Sequence, residues 1–268
     1  MRYAVSAQQV FKSNKARVTR AGQPIAGKLV YLEPFSGPGW NLIRESGEKV
    51  KGTPLRAIDE LGHFDIFIFN ELDQAKLDSL YSELRDRGLS EAETPAVYLF
   101  RGDANDLMGR LPDVFRDHLV PACYPQMGIA AVDPVGLHFH WGSVVKLAGH
   151  RLDFVCMVAT HIDLVRNAKN ADAEEHIERW LGEPLRGRSA GDLIKRYEER
   201  LKSVARYSWC HGVSTSPIPG DEDVWVKGEY HLIFSSHCKN DVASKIWKGV
   251  CRQTRRETHG PSLFEGIE

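Results

Sequence analysis

The sequence predicts an α/β protein with a mostly parallel sheet, helices on both faces and an antiparallel C-terminal edge. Three observations carry that expectation. Short apolar, β-branched runs alternate with amphipathic stretches along most of the chain. The first of these runs ends in a glycine-rich turn, the place where open α/β sheets bind ligands. Two strand-like runs near the C-terminus are joined through Pro217, Pro219 and Gly220, so they can pair antiparallel. Strands separated by helices imply crossover connections, and those bury a parallel sheet on both faces.

Taken in order, Lys28–Phe35 reads as a buried strand ending at Ser36-Gly37-Pro38-Gly39. Phe64–Asn70 is the second strand, followed by a helix from Asp73 to Arg87 that stops at Gly88. On that helix Leu77, Leu80, Tyr81 and Leu84 recur at three- and four-residue steps, which predicts one buried stripe. Ala96–Phe100 is the third strand, with a helix over Asn105–His118. Met127–Val132 and Phe154–Val158 are the fourth and fifth, with Phe139–Ala148 between them. Asp192–Val204 presents Ile194, Tyr197, Leu201 and Val204 on one helical face, and Ser189 with Asp192 forms a capping box. Tyr207–Val213 and Tyr230–Ser235 are the antiparallel pair, and a last helix runs from about Asp241 to Arg252. No repeat or linker interrupts the pattern. The expectation is a basic N-terminal segment over 1–27 and one domain over 28–268, with a helical insertion at 161–188.

At 268 residues, 42% hydrophobic and 26% charged, the chain excludes disordered, collagen-like and disulfide-scaffold classes. The net charge of −1 hides local asymmetry. The first 32 residues carry six Lys/Arg and no acid, whereas Asp59 to Asp86 is acid-rich. The five cysteines form no CxxC pair, so neither a zinc knuckle nor a redox dithiol is signalled. No signal-peptide core or membrane-length apolar run is present, and the expected location is cytoplasmic, with no membrane partner.

Three features fall at successive strand ends. Glu33-Pro34-Phe35-Ser36-Gly37-Pro38-Gly39 lets the backbone turn sharply and approach a ligand with no Cβ in the way. Glu71 can accept both hydroxyls of a ribose, and Leu72 offers an apolar surface to an adenine. Asp103, in Gly102-Asp103-Ala104-Asn105, can receive an adenine amino group. Each acid, like Asp73, also suits a helix cap when taken alone. Their order together describes a nucleoside site. A dinucleotide fingerprint is missing, because no third glycine follows Gly37 and Gly39 at the required step.

The ordered set YLEPFSGPG (31–39), GTPLRAI (52–58), FNELD (69–73), GDAND (102–106) and VDPVGL (132–137) resembles the class I S-adenosylmethionine-dependent methyltransferase fold. With YHLIFSSH (230–237) and KIWKGV (245–250), it resembles more narrowly the three-Cys-motif partner proteins. The resemblance implies a Rossmann-like sheet and S-adenosyl-L-methionine as cofactor. It assigns donor contacts to Glu33, Phe35, Gly37, Gly39, Glu71, Leu72, Asp103 and Ala104. It also implies a companion protein similar to radical S-adenosylmethionine enzymes.

Amino-methyltransferases carry [Asp/Asn]-Pro-Pro-aromatic after the fourth strand, where the acid and the proline-fixed carbonyl hold the acceptor amine. Here Asp133 and Pro134 match and are the expected catalytic residues, whereas Val135 and Gly136 depart from the motif. Phe139 or Trp141 could supply the missing aromatic. Methyl transfer is driven chiefly by proximity and in-line orientation, so an aligning acid suffices. His138 and His140 suit one face of a strand and fall short of a metal set, so no metal is expected. The basic runs at both chain ends suit phosphates or a solvated face. The sequence therefore points to a methyltransferase whose acceptor is a nucleic acid or nucleobase amino or hydroxyl group. Its alternative is a non-catalytic, cofactor-binding partner subunit of the companion enzyme, and a third reading places another ligand in the same crevice.

Overall fold

Leu29 and Tyr31 face one side of the first strand and Val30 and Leu32 the other, and all four are buried, in two separate apolar clusters. That period-two split is what a sheet covered on both faces requires. The computed structural model describes residues 28–43, 46–90, 95–118, 127–134, 136–150, 152–158, 164, 171–185, 189–205, 207–213, 230–236 and 245–248.

The elements run β1 (Leu29–Glu33), β2 (Trp40–Leu42), β3 (Lys49–Lys51), α1 (Thr53–Glu60), β4 (Ile66–Glu71), α2 (Gln74–Asp86), β5 (Ala96–Arg101) and α3 (Ala104–His118). They continue as β6 (Met127–Val132), α4 (Trp141–Ala148), β7 (Leu152–Val158), α5 (Ala171–Leu181), α6 (Ala190–Val204), β8 (Tyr207–Val213) and β9 (Tyr230–Ser236). Seven strands form one sheet in the order β5-β4-β1-β6-β7-β9-β8. The first five are parallel, and β9 runs antiparallel to both β7 and β8. This is the expected Rossmann-like sheet, mostly parallel with an antiparallel C-terminal edge. Apolar faces of α3, α4, α5 and α6 cover one side, and α1 and α2 cover the other.

Most expected elements fall within two residues of their observed limits. The second strand begins later than expected because Phe64 and Asp65 form the lead-in turn: the Asp65 carboxylate accepts Leu29 N–H at 2.8 Å. Asp73 caps α2 by accepting from Ala75 and Lys76 N–H, and Ser189 with Asp192 forms the expected capping box on α6. Tyr81 departs from the predicted stripe. Leu77, Leu80 and Leu84 are buried, but Tyr81 is 56% exposed and lines a surface groove with Leu89 and Leu99. Of the expected last helix, the described stretch 245–248 is helical, and the rest lies outside the described residues, as does the 1–27 segment.

α5 lies in the stretch read as a helical insertion, and its end is pinned. Gly182, at φ +72°, closes the helix, and a Cβ there would stand 2.4 Å from the Trp141 ring. Trp180 stacks on Tyr197 at 4.2 Å, and the Arg200 guanidinium lies 4.4 Å from the Trp141 ring centre. α5 is thereby fastened to the first residue of α4, beside the loop that leaves β6.

Candidate functional site

The chain passes from β1 outward to β4 and β5, then returns to β6 on the other side of β1. The loops leaving β1 and β6 therefore diverge, which opens a crevice at the carboxyl ends of the strands. The sequence-predicted site residues lie at or just beyond the carboxyl ends of β1, β4, β5 and β6.

Asn70, fully buried near the end of β4, joins three of these loops. Its side-chain amide donates to the carbonyls of Pro34 and Gly102, each at 3.0 Å. Its own carbonyl accepts Ser36 N–H at 2.9 Å and the Ser36 hydroxyl at 3.1 Å. Sequence reasoning passed over Asn70 within FNELD. A small amide just before a strand-end acid, flanked by buried aromatics, was the available signal.

Glu71 follows directly. Its Oε2 accepts Gly37 N–H at 2.8 Å and its Oε1 accepts Asp73 N–H at 3.0 Å. A carboxylate has about four acceptor positions, so both oxygens keep capacity for ligand hydroxyls. Gly37 has φ +67°, and a Cβ there would meet nothing within 4 Å, so its open side faces free space. Gly39 differs. At φ +83° it packs inward, with a hypothetical Cβ 3.0 Å from Leu80 Cδ1. Its positive φ favours glycine, and a Cβ there would crowd the Leu80 side chain. Leu72 is 66% exposed, an apolar side chain standing free at the crevice. Phe35 is half-buried and meets Phe139 edge-on at 5.9 Å.

Glu33 is buried at the end of β1 and accepts the Tyr31 hydroxyl at 3.3 Å. Burial pushes its carboxyl well above the usual range; the Tyr31 bond opposes that shift, and the charge of Asp133 adds to it. The Tyr31 phenol is raised as well, first by burial and then by Glu33.

Asp103 accepts Asn105 N–H at 2.7 Å and the Asn105 side-chain amide at 2.8 Å, both on Oδ1. It therefore turns the chain into α3, the capping role that acids favour, and keeps Oδ2 for other donors. Ala104 is buried, so its side chain belongs to the core and its backbone to the loop. Asn105 also donates to the His138 carbonyl at 2.8 Å. Its Oδ1 accepts His140 N–H at 2.9 Å and the Ser143 hydroxyl at 2.7 Å. Sequence reasoning missed this residue too.

Asp133 follows β6 as an exposed residue, and no hydrogen bond or ion pair reaches it from the described residues. The protein around its carboxyl still desolvates the charge enough to push it up to about 6. It caps no helix: α4 starts at Trp141 with His140 as N-cap and no side-chain capping bond. Pro134 is half-buried beside it. The aromatic substitutes suggested by sequence fail, because Phe139 and Trp141 are both buried, one against Phe35 and the other against Tyr197 and Arg200. His138 instead meets His176 of α5, ring centres 6.2 Å apart. Burial lowers His140, Asp103 opposes that, and Arg179, His138 and His176 add to it. Among the described residues no three His, Cys, Asp or Glu side chains group as a metal site. No described helix is long and apolar enough to cross a membrane.

No family model and no curated protein matches the chain. Solved structures do. A Legionella pneumophila protein, LPL1258 of family-model DUF519, superposes with TM-score 0.53 at 13% identity, covering 95% of this chain and 90% of that one. Trm1 from Pyrococcus horikoshii, solved with S-adenosyl-L-methionine, gives TM-score 0.45 at 12% identity over 91% of this chain and 56% of its own. The methyltransferase domain of bacterial CtHen1-C gives 0.40 at 14% identity, over 88% and 98%. The Legionella likeness shows a shared fold.

Proposed function

We propose that this chain is an S-adenosylmethionine-dependent methyltransferase acting on an amino or hydroxyl group of a nucleic acid or nucleobase. The observation that carries the reading is Asp133, a desolvated carboxyl with no partner among the described residues, just past the carboxyl end of β6. Keeping an unpaired, partly desolvated acid costs stability, and sites that bind or react tolerate that cost.

The crevice suits a nucleoside donor. Free space lies over Gly37, Glu71 retains acceptor capacity, Leu72 offers an exposed apolar face, and Asp103 keeps one oxygen open. Glu33 and Phe35 line the β1 end, with Gly39 and the Ala104 backbone shaping the loops around it. Such a donor, when bound, supplies an electrophilic methyl group on a sulfonium. Asp133, ionised, accepts a hydrogen bond from the acceptor N–H or O–H and aligns its lone pair, and the Pro134 carbonyl accepts a second. Transfer would break the donor's methyl carbon–sulfur bond and release a neutral thioether, and the acceptor's proton would move to the Asp133 carboxylate. Orientation supplies most of the acceleration, on the order of effective molarities of 10⁵ M or more.

A second reading has its own support. From 133 to 141 the described residues offer no exposed Phe, Tyr or Trp to stack on an acceptor base. This favours completion of the site by a partner, either the radical-enzyme-like companion implied by the three-Cys-motif resemblance or the nucleic acid itself. The chain would then serve as the companion's donor-binding subunit.

Radiolabelled methyl donor incubated with total DNA, RNA and protein, with and without the companion, separates these readings. Label in nucleic acid with the chain alone supports the methyltransferase. Label only with the companion supports the subunit. No label in any mixture overturns both.

A further inference from the structure

We propose that Asn105 is a positioning residue that couples the donor pocket to the acceptor loop, so that occupation of one orders the other. The inference rests on the donor site proposed above and gives a role to Asn105, to which the sequence motifs assigned none. Asn105 uses its whole hydrogen-bonding capacity. Its two amide hydrogens go to Asp103 Oδ1 and the His138 carbonyl, both at 2.8 Å. Its oxygen accepts His140 N–H at 2.9 Å and the Ser143 hydroxyl at 2.7 Å. Two hydrogens and two lone pairs are all that a side-chain amide has. The flipped amide would set donors against donors, so the orientation is unique.

Three of the four partners lie on two loops, and the fourth, Ser143, lies in the first turn of α4. Asp103 is the acid proposed to receive the adenine, and His138 and His140 complete the loop that begins at Asp133 and runs into α4. Sequence separations of 33, 35 and 38 residues to His138, His140 and Ser143 make these tertiary bonds. They also stand at a junction rather than in the apolar core, since Asn105 is only half-buried. A ligand that fixes Asp103 therefore fixes Asn105, and through it the His138 carbonyl and the His140 N–H. The His140 carbonyl in turn accepts from Ser143 and Val144 N–H, which starts α4. Coupling between sites amounts to differential stabilisation of a shared element, and typical values are about 5- to 150-fold.

Hydrogen–deuterium exchange with S-adenosylhomocysteine as probe tests this, alongside calorimetry and thermal melts on the parent, Asn105→Ala and Asn105→Asp. The aspartate keeps the acceptor side of the amide and loses both donated bonds. In the parent, the probe should slow exchange at 37–39 and 71–75, and slow it about fivefold or more at His140, Ser143 and Val144. In both variants the probe should still bind within about tenfold and protect 37–39 and 71–75, while protection over 140–144 disappears. Equal protection of 140–144 in parent and variants overturns the coupling and leaves the donor site standing. So does parent binding that never reaches 140–144. Absence of binding to the parent instead removes the donor site, and the coupling with it. If neither variant melts cooperatively, Asn105 is a folding residue and the proposal fails.

Discussion

The Glu71 carboxylate accepts the backbone N–H of Gly37 at 2.8 Å, across 34 residues of sequence. The acid that ends β4 thus holds the turn that ends β1, and one side chain serves both the loop's shape and the proposed ribose contact. Glu71→Ala removes both. Its affinity for S-adenosylhomocysteine should fall about ten- to a hundredfold, the value of a lost charged hydrogen bond of ~1.5–3 kcal/mol. Glu71→Gln can still accept from one N–H and should lose less. Calorimetry on the three proteins checks the order; equal affinities would leave Glu71 a loop fastener alone.

Asp133 should separate chemistry from donor binding. Its carboxyl titrates near 6 and must be ionised to accept a hydrogen bond, so methyl transfer should rise as pH passes through about 6 and then level. Asp133→Asn should lose that inflection and about two or more orders of magnitude in kcat, with donor affinity nearly unchanged. Because the asparagine carries no desolvated charge, its melting temperature should equal or exceed the parent's at neutral pH. A variant with parental turnover would make Asp133 incidental.

Glu33 makes a prediction about stability. Burial holds its folded carboxyl well above the unfolded value, so the folded chain keeps a proton that the unfolded chain has lost. Stability should therefore fall as pH climbs from the ordinary carboxylate value through the raised one. Glu33→Gln, which can still accept from Tyr31, should flatten that slope. It should melt above the parent at mildly alkaline pH and converge with it in acid. Parallel pH–stability curves would refute the assignment.

Asn70 is the test of the three-loop junction. Asn70→Ala strands the buried carbonyls of Pro34 and Gly102 and should cost about 2–4 kcal/mol in urea unfolding. Asn70→Asp places an acceptor against two carbonyls and should cost at least as much. A stable aspartate variant would show that these carbonyls find donors elsewhere.

The sheet was legible because its strands obey a simple rule: Val30, Leu32 and Leu29, Tyr31 alternate between two apolar layers, and every parallel strand needs both. The capping box at Ser189 was legible for a similar local reason. Short elements were not. α1 spans two turns, too few for periodicity to stand out, and β2 and β3 are three mostly exposed residues each. Tyr81 satisfied the helical spacing, but the stripe on α2 is narrower than four residues, and the groove beside β5 took the fourth. In the site, motif acids announced themselves at strand ends, whereas Asn70 and Asn105 did not. Their roles depend on which distant carbonyls face them, and spacing along the chain does not encode that. The burial of Phe139 and Trp141 was equally hidden, since an aromatic after a strand-end loop looks the same in sequence whether it faces solvent or core.

The central claim is that the crevice above β1, β4 and β5 holds a nucleoside donor, and a crystal structure of the chain grown with millimolar S-adenosylhomocysteine tests it most directly. Ribose hydroxyls should rest on Glu71, the adenine against Leu72 with its amino group on Oδ2 of Asp103, and the sulfur should turn toward Asp133. A ligand lodged elsewhere, or a crevice that stays closed to it while the protein is intact, would contradict the account.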